Sequence, residues 1–112
     1  MKRTAYLLLL LNLLPVSVLA QDDGENLVTS KMCYACHQLD AASLGPPWRA
    51  IAARHGERRE VMVEVLAGKI IRGGGGNWGL VPMVPNQRVS EAEARTMAQW
   101  ILDLAGNTGN SR

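Results

Sequence analysis

Residues 33–37 read Cys-Tyr-Ala-Cys-His, and they hold both cysteines of the 112-residue chain. Two thiols three positions apart fall on one helical turn, with an imidazole directly after them. That spacing suits two thioether bonds to the vinyl groups on neighbouring edges of a porphyrin. His37 then projects over the macrocycle and offers a ring nitrogen to iron. The constraint on folding is severe, because a flat apolar disc must become part of the core. Composition agrees: the chain has no Phe, and a small domain with a thin aromatic core recruits some other large apolar body to pack around.

Three other uses of Cys33, Cys36 and His37 compete. A disulfide or a thiol redox pair is one, but the alternating strands and helices of a thioredoxin-like domain are missing, and such a pair needs no following histidine. A zinc site is another; it would exhaust the soft ligands once the lone His55 is added, and no second Cys-x-x-Cys exists. Chance is the third.

The first twenty residues read as an export leader. Lys2-Arg3 forms a basic start, Ala5–Leu14 is nearly unbroken leucine, and Val18 and Ala20 flank Leu19 as small residues ahead of a cleavage point between Ala20 and Gln21. The apolar stretch is short for a membrane span and is interrupted by Asn12 and Pro15. The expected organisation is therefore a signal peptide over 1–20 and one domain over 21–112, in the periplasm, with membrane contact confined to a chain whose leader stays uncleaved. Lys2 and Arg3 leave with the leader, so ten basic residues face ten acidic ones in the mature chain. The basic residues are scattered without an aromatic stripe, which excludes a nucleic-acid partner.

The rest of the chain reads as all-α. Asp22 and Glu25 have capping-box spacing for a first helix, and Val28, Met32, Ala35, Cys36 and Leu39 continue it into the cysteine motif. Leu44-Gly45-Pro46-Pro47 breaks the chain into an extended turn. Trp48, Ile51 and Ala52 mark a short helix closing at Gly56. A longer one from about Arg58 to Ile71 turns Met62, Val65, Leu66 and Ile70 inward and ends at the run Gly73–Gly76. Ser90 and Glu93 form a capping box for the last helix, with Val89 placed to staple onto Ala94. Ala94, Met97, Ala98, Ile101, Leu102 and Ala105 follow at helical spacing, Gly106 sits at the C-terminal cap, and the polar tail from Asn107 frays.

Iron held by His37 needs a sixth ligand. His55 lies beside Arg54, Glu57 and Arg58 and reads as part of a solvated turn. Met32 abuts the cysteines on the His37 side, while Met62 and Met97 sit on apolar helical stripes as core filler. Met83 differs. It lies in the aperiodic segment 77–89, bracketed with Val84 by Pro82 and Pro85, 46 residues after His37 and far enough along the chain to reach the opposite face of a haem.

The motif Cys33-Tyr34-Ala35-Cys36-His37, the turn Leu44-Gly45-Pro46, the stretch Trp78-Gly79 through Pro82-Met83 and Pro85-Asn86, and the final helix with Trp100 together resemble the small class I c-type cytochromes of bacteria, of the cytochrome c-551/c-552 type. The resemblance implies four to five helices wrapped around one covalently bound haem c, with the first and last crossing near a haem edge. It implies that the Pro46 carbonyl accepts a hydrogen bond from His37 Nδ1, that Trp78 donates to a haem propionate, and that Asn86 lies near the Met83 sulfur. Lys69 falls where relatives often carry an arginine, and a lysine supplies a point charge rather than a fork. The four-glycine run departs from the family and is expected to loosen its loop. Trp100 reads as simple packing.

Function follows from coordination. His/Met ligation leaves no open position on iron, so the implied role is a monomeric one-electron carrier that meets redox proteins through an exposed haem edge, with no catalysis of its own. An alternative from a different class is a haem c subunit held permanently by a periplasmic oxidoreductase. A peroxidase or gas sensor would require Met83 to be displaced.

Overall fold

The computed structural model describes residues 17–106, with side chains from Asp23 onward. Most of the expected leader and the polar tail from Asn107 lie outside the described residues. Four α-helices form: α1 (Ser17–Ser30), α2 (Trp48–His55), α3 (Arg59–Arg72) and α4 (Glu91–Asp103). Short 3-10 turns cover Cys33–Ala35 and Gly56–Arg58. Among the described residues there is no strand, and a single antiparallel bridge joins Gly74 to Met83.

Helix α4 is the centre of the fold, in contact with α1, α2 and α3. Its start is fixed as its sequence dictates. The Ser90 hydroxyl accepts from the Glu93 amide at 3.2 Å, and the Glu93 carboxylate accepts from the Ser90 amide at 2.9 Å. Val89 and Ala94, the two ends of the expected staple, are both buried. Ala94, Met97, Ala98, Ile101 and Leu102 face inward, joined by Trp100 and Leu104. Ala105, expected on the same stripe, is exposed because the helix has already ended at Asp103.

Charged residues fasten the helix ends. Lys31, just past α1, donates to the Arg88 carbonyl at 3.0 Å and pairs with Glu93 at 3.2 Å. Arg59 at the head of α3 holds Asp103 at the tail of α4, with both Nε and Nη2 at 2.8 Å from Oδ1. Glu64 and Arg95 meet at 2.8 Å between them, so α3 and α4 run antiparallel. Exposed pairs of this kind contribute at most about 1 kcal/mol each, so they set register more than stability.

The sequence reading needs correction at the first helix and on α3. Helix α1 already runs from Ser17, so Asp22 lies inside it and does not cap it; no Gly or Pro between Ser17 and Asp23 stops the helix extending upstream. Nor does the helix continue into the cysteine motif. Met32 adopts a left-handed conformation (φ 60°, ψ 30°) that ends the helical path, and its side chain is exposed. On α3, Met62 and Ile70 are buried as expected, but Val65 is exposed, and Val63 and Ala67 take the inner face instead.

α1 crosses α4 at Gly24. A Cβ there would overlap Trp100 Cβ and lie 2.8 Å from its Cγ and 3.1 Å from the Thr96 carbonyl oxygen. Hydrogen alone fits between the helices at this point. Gly24→Ala should therefore lower the stability of the holoprotein by about 1–3 kcal/mol, the usual cost of overpacking a tight contact. Glu25→Ala, one position along on the exposed face, should leave the thermal midpoint nearly unchanged.

Candidate haem-attachment site

The left-handed turn at Met32 tightens the chain into the 3-10 turn, where the Cys36 and His37 amides both donate to the Cys33 carbonyl, at 3.1 and 2.9 Å. Cys33 and Cys36 are both free and half-buried, one turn apart. Burial pushes the Cys33 thiol above its ordinary pKa; a hydrogen bond to the sulfur from its own backbone amide opposes the rise, and the neighbouring Cys36 adds to it. Desolvation of this kind disfavours the thiolate that a redox pair uses. Nor do three or more His, Cys, Asp or Glu side chains gather to hold a metal ion among the described residues, so the zinc reading gains no support.

His37 is buried and fixed on three sides. Its Nδ1 lies 2.8 Å from the Pro46 carbonyl oxygen. A carbonyl can only accept, so the proton sits on Nδ1 and the lone pair is on Nε2. Gly45 lies against the ring: a Cβ at that position would be 2.6 Å from Cε1 and 2.9 Å from Nδ1. The Gly45 amide in turn donates to the Cys36 carbonyl at 2.8 Å, and the Trp48 amide to the Gln38 carbonyl at 2.9 Å, closing the loop over the motif. Trp48 then stacks on the imidazole at 5.8 Å and 17°.

Trp48 is a contributor that the sequence reading recognised only as the start of a helix. Nearly fully buried, it meets Tyr34 edge-on at 4.7 Å and Trp100 edge-on at 5.2 Å, as well as His37. Each such aromatic contact adds about 0.5–1.5 kcal/mol beyond area burial. Trp100 is packing, as read, but it is packing in a chain of rings from α4 to His37. The available signal was a tryptophan directly after Gly-Pro-Pro.

The segment carrying Met83 is held mainly by its backbone. Gly74 and Met83 exchange two amide–carbonyl bonds, each 2.9 Å. Gly73 (φ 67°) sits so close that a Cβ would overlap the Met83 carbonyl oxygen and lie 2.8 Å from Pro85 N. Gly75 lies beside Pro82 with more room: a Cβ there would be 3.4 Å from Pro82 Cα, an ordinary contact. At Gly73 and Gly74 the glycine run allows a close approach of two chain segments. Asn86 finishes the arrangement. Its amide donates to the Ile70 and Ile71 carbonyls at the end of α3, and its side chain to Ile70 at 3.0 Å and Val84 at 3.4 Å. Met83 itself is half-buried and packs, like Cys33, against the main core cluster.

Trp78 is partly exposed and lies beside α2, with Arg54 4.8 Å above its ring. His55 is the last residue of α2 and is half-buried, not in a solvated turn. Its ring is edge-on to Trp78 at 6.5 Å, and its buried Nδ1 has no partner. Burial first, then the charges of Arg54 and Arg58, lower its pKa and favour the neutral ring.

Two half-buried thiols one turn apart, a buried imidazole with a directed lone pair and a half-buried thioether fit a haem c. Fold and donor set together define a small all-α haem-attachment domain. Comparison with known proteins sharpens this: the Cytochrome c family model matches residues 21–105. The chain is 48% identical to cytochrome c-552 of Hydrogenobacter thermophilus over 81 residues, covering 72% of this chain and 81% of the relative. It is 43% identical to cytochrome c-551 of Azotobacter vinelandii, over 72% of this chain and 96% of the relative. The crystal structure of Nitrosomonas europaea cytochrome c552 superposes with a TM-score of 0.68 at 41% identity, over 71% of this chain and 98% of that one. The chain belongs to the cytochrome c family, and with it come haem c as cofactor and a place in electron transport.

The close approach at Gly45 yields a test. Gly45→Ala should displace the His37 ring and weaken its bond to Pro46, lowering the thermal midpoint of the holoprotein and raising its reduction potential, because a weaker Nδ1–H bond makes the imidazole a poorer donor to ferric iron. Gly106→Ala, whose added methyl has its nearest neighbour at 3.7 Å, should change neither.

Proposed function

We propose that this protein is a periplasmic monohaem c-type cytochrome that carries single electrons between redox partners and catalyses no reaction itself. The observation that carries the reading is the His37 arrangement: a ring locked by the Pro46 carbonyl, with its Nε2 lone pair left for iron. In this reading Cys33 and Cys36 would bind the haem through two thioethers, and His37 and Met83 would hold its iron. Pro46 orients the imidazole, Trp78 donates to a propionate, and Asn86 holds the Met83 segment against α3.

When bound, the haem supplies a one-electron ferric/ferrous couple, and thioether ligation favours the ferrous state. The protein's part is to keep that couple and exclude other chemistry. The rigid backbone around Met83 lets a weak ligand stay in place without a large reorganisation between oxidation states. Trp48, stacked on the ring and backed by Trp100, shields His37 from water. Partners would meet the protein through a small, transient contact at an exposed haem edge, as suits a monomeric carrier. The leader pattern over residues 1–20 supports export, with the mature chain starting at Gln21.

Two substitutions in the purified protein separate the ligand assignments. Met83→Ala should abolish the weak near-infrared charge-transfer band of methionine-ligated ferric haem, lower the reduction potential and admit cyanide readily. Met62→Leu should keep the band, since Met62 is buried on α3 and the swap conserves volume. Wild-type protein without the band, in which His55→Ala opens the iron, would replace Met83 by His55 in the assignment.

A further inference from the structure

The Met83 segment is one limb of a hairpin-like loop. Its base is closed where Gly74 meets Met83 and Gly75 meets Pro82. Beyond that base lies the tip, residues 76–81. Gly76 (φ 89°) and Gly79 (φ 124°) adopt conformations that weakly restrain the chain, and a Cβ at either would meet nothing within 4 Å. Leu80 is fully exposed, and Val81 is largely so. Left to itself, a tip with these properties would swing and work the base open.

One helix reaches it. Arg54, on the last turn of α2, donates from Nη1 to the Asn77 carbonyl at 3.0 Å. Its guanidinium lies 4.8 Å above the Trp78 ring, and the neighbouring His55 sets its ring edge-on to the same indole at 6.5 Å. Among the described residues this is the hydrogen bond that the tip receives from the helices. The opposite end of α2 begins at Trp48, the residue stacked on His37. An eight-residue helix therefore spans from the histidine side of the site to the tip of the methionine loop.

We infer that Arg54 is a positioning residue for Met83: it tethers Asn77 and Trp78 to α2 and so holds closed the loop that presents the thioether. Its effect on the iron rests on the reading of Met83 as the axial ligand; the tether itself does not. The guanidinium is suited to the task because one planar group can stack on an indole and still direct an N–H to a carbonyl, which an ammonium on a flexible stem does less well.

The test uses ferric holoprotein of wild type, Arg54→Ala, Arg54→Lys and Arg49→Ala. Arg49 is the control, on the same helix but paired with Asp40. Two quantities are read: amide hydrogen exchange at Met83, whose N–H is bonded to Gly74, and the rate of cyanide binding. Loss of one exposed stacking contact and one hydrogen bond should speed both roughly tenfold in Arg54→Ala. Arg54→Lys should fall between, Arg49→Ala should match wild type, and exchange in α4 should not change. Wild-type exchange at Met83 in Arg54→Ala would overturn the tether. Faster exchange in Arg54→Ala, together with a Met83→Ala protein that binds cyanide no faster than wild type, would leave the tether standing and remove Met83 from the iron.

Discussion

The hydrogen bond between His37 and the Pro46 carbonyl organises everything around it. It puts the proton on Nδ1, and that single placement decides which ring nitrogen is available for coordination. The bond exists because Gly45 has no side chain to keep the turn away from the ring, and because the Gly45 amide anchors that turn on Cys36. Trp48 presses on the other side and passes the restraint to Tyr34 and Trp100. An apolar turn of the chain thus becomes a rigid socket, joined through aromatic rings to the central helix of the fold.

The two sides of the site are built by different physics. The histidine side is local in sequence: residues 33–48 contain the thiols, the buried imidazole, its hydrogen-bond acceptor and its stacking partner. The methionine side is assembled from distant pieces, with α3 supplying carbonyls at Ile70 and Ile71 and the glycine run supplying a surface without side chains. The arrangement touches the core cluster through Met83. It depends on main-chain hydrogen bonds, each a modest net contribution of about 1 kcal/mol, and on glycines that let the segments approach.

That division also explains what could be read from the sequence. The cysteine motif and its histidine were legible because their chemistry is confined to five consecutive residues. Helix α4 was legible because Ser90 and Glu93 announce its start and its apolar residues keep a clean period. α2 and α3 fell within a residue or so of their expected limits because Gly56 and Gly73 bound them. The end of α1 was not legible: Met32 takes a glycine-like conformation without being glycine, so composition offers no stop signal. The inner face of α3 was misread at Val65 because five valines and isoleucines of similar hydrophobicity compete, and packing against α4 selects Val63 and Ala67. Arg54 and the glycine clasp were hidden for a simpler reason. Each joins residues far apart in the chain, and neither leaves a periodic trace.

The Gly74–Met83 bridge has an evolutionary corollary. Because both of its bonds are made by amides and carbonyls, the shape of the segment around position 83 owes little to which side chain grows from it. Side chain and scaffold are uncoupled there, unlike at His37, where ring, turn and aromatic stack have to change together. On the proposed assignment of Met83 to the iron, position 83 is a point at which a descendant could exchange one donor atom for another, or for none, and inherit the backbone intact. New reactivity in a lineage built on this frame would be expected to start on the methionine side, with the histidine socket kept as the fixed half of the molecule.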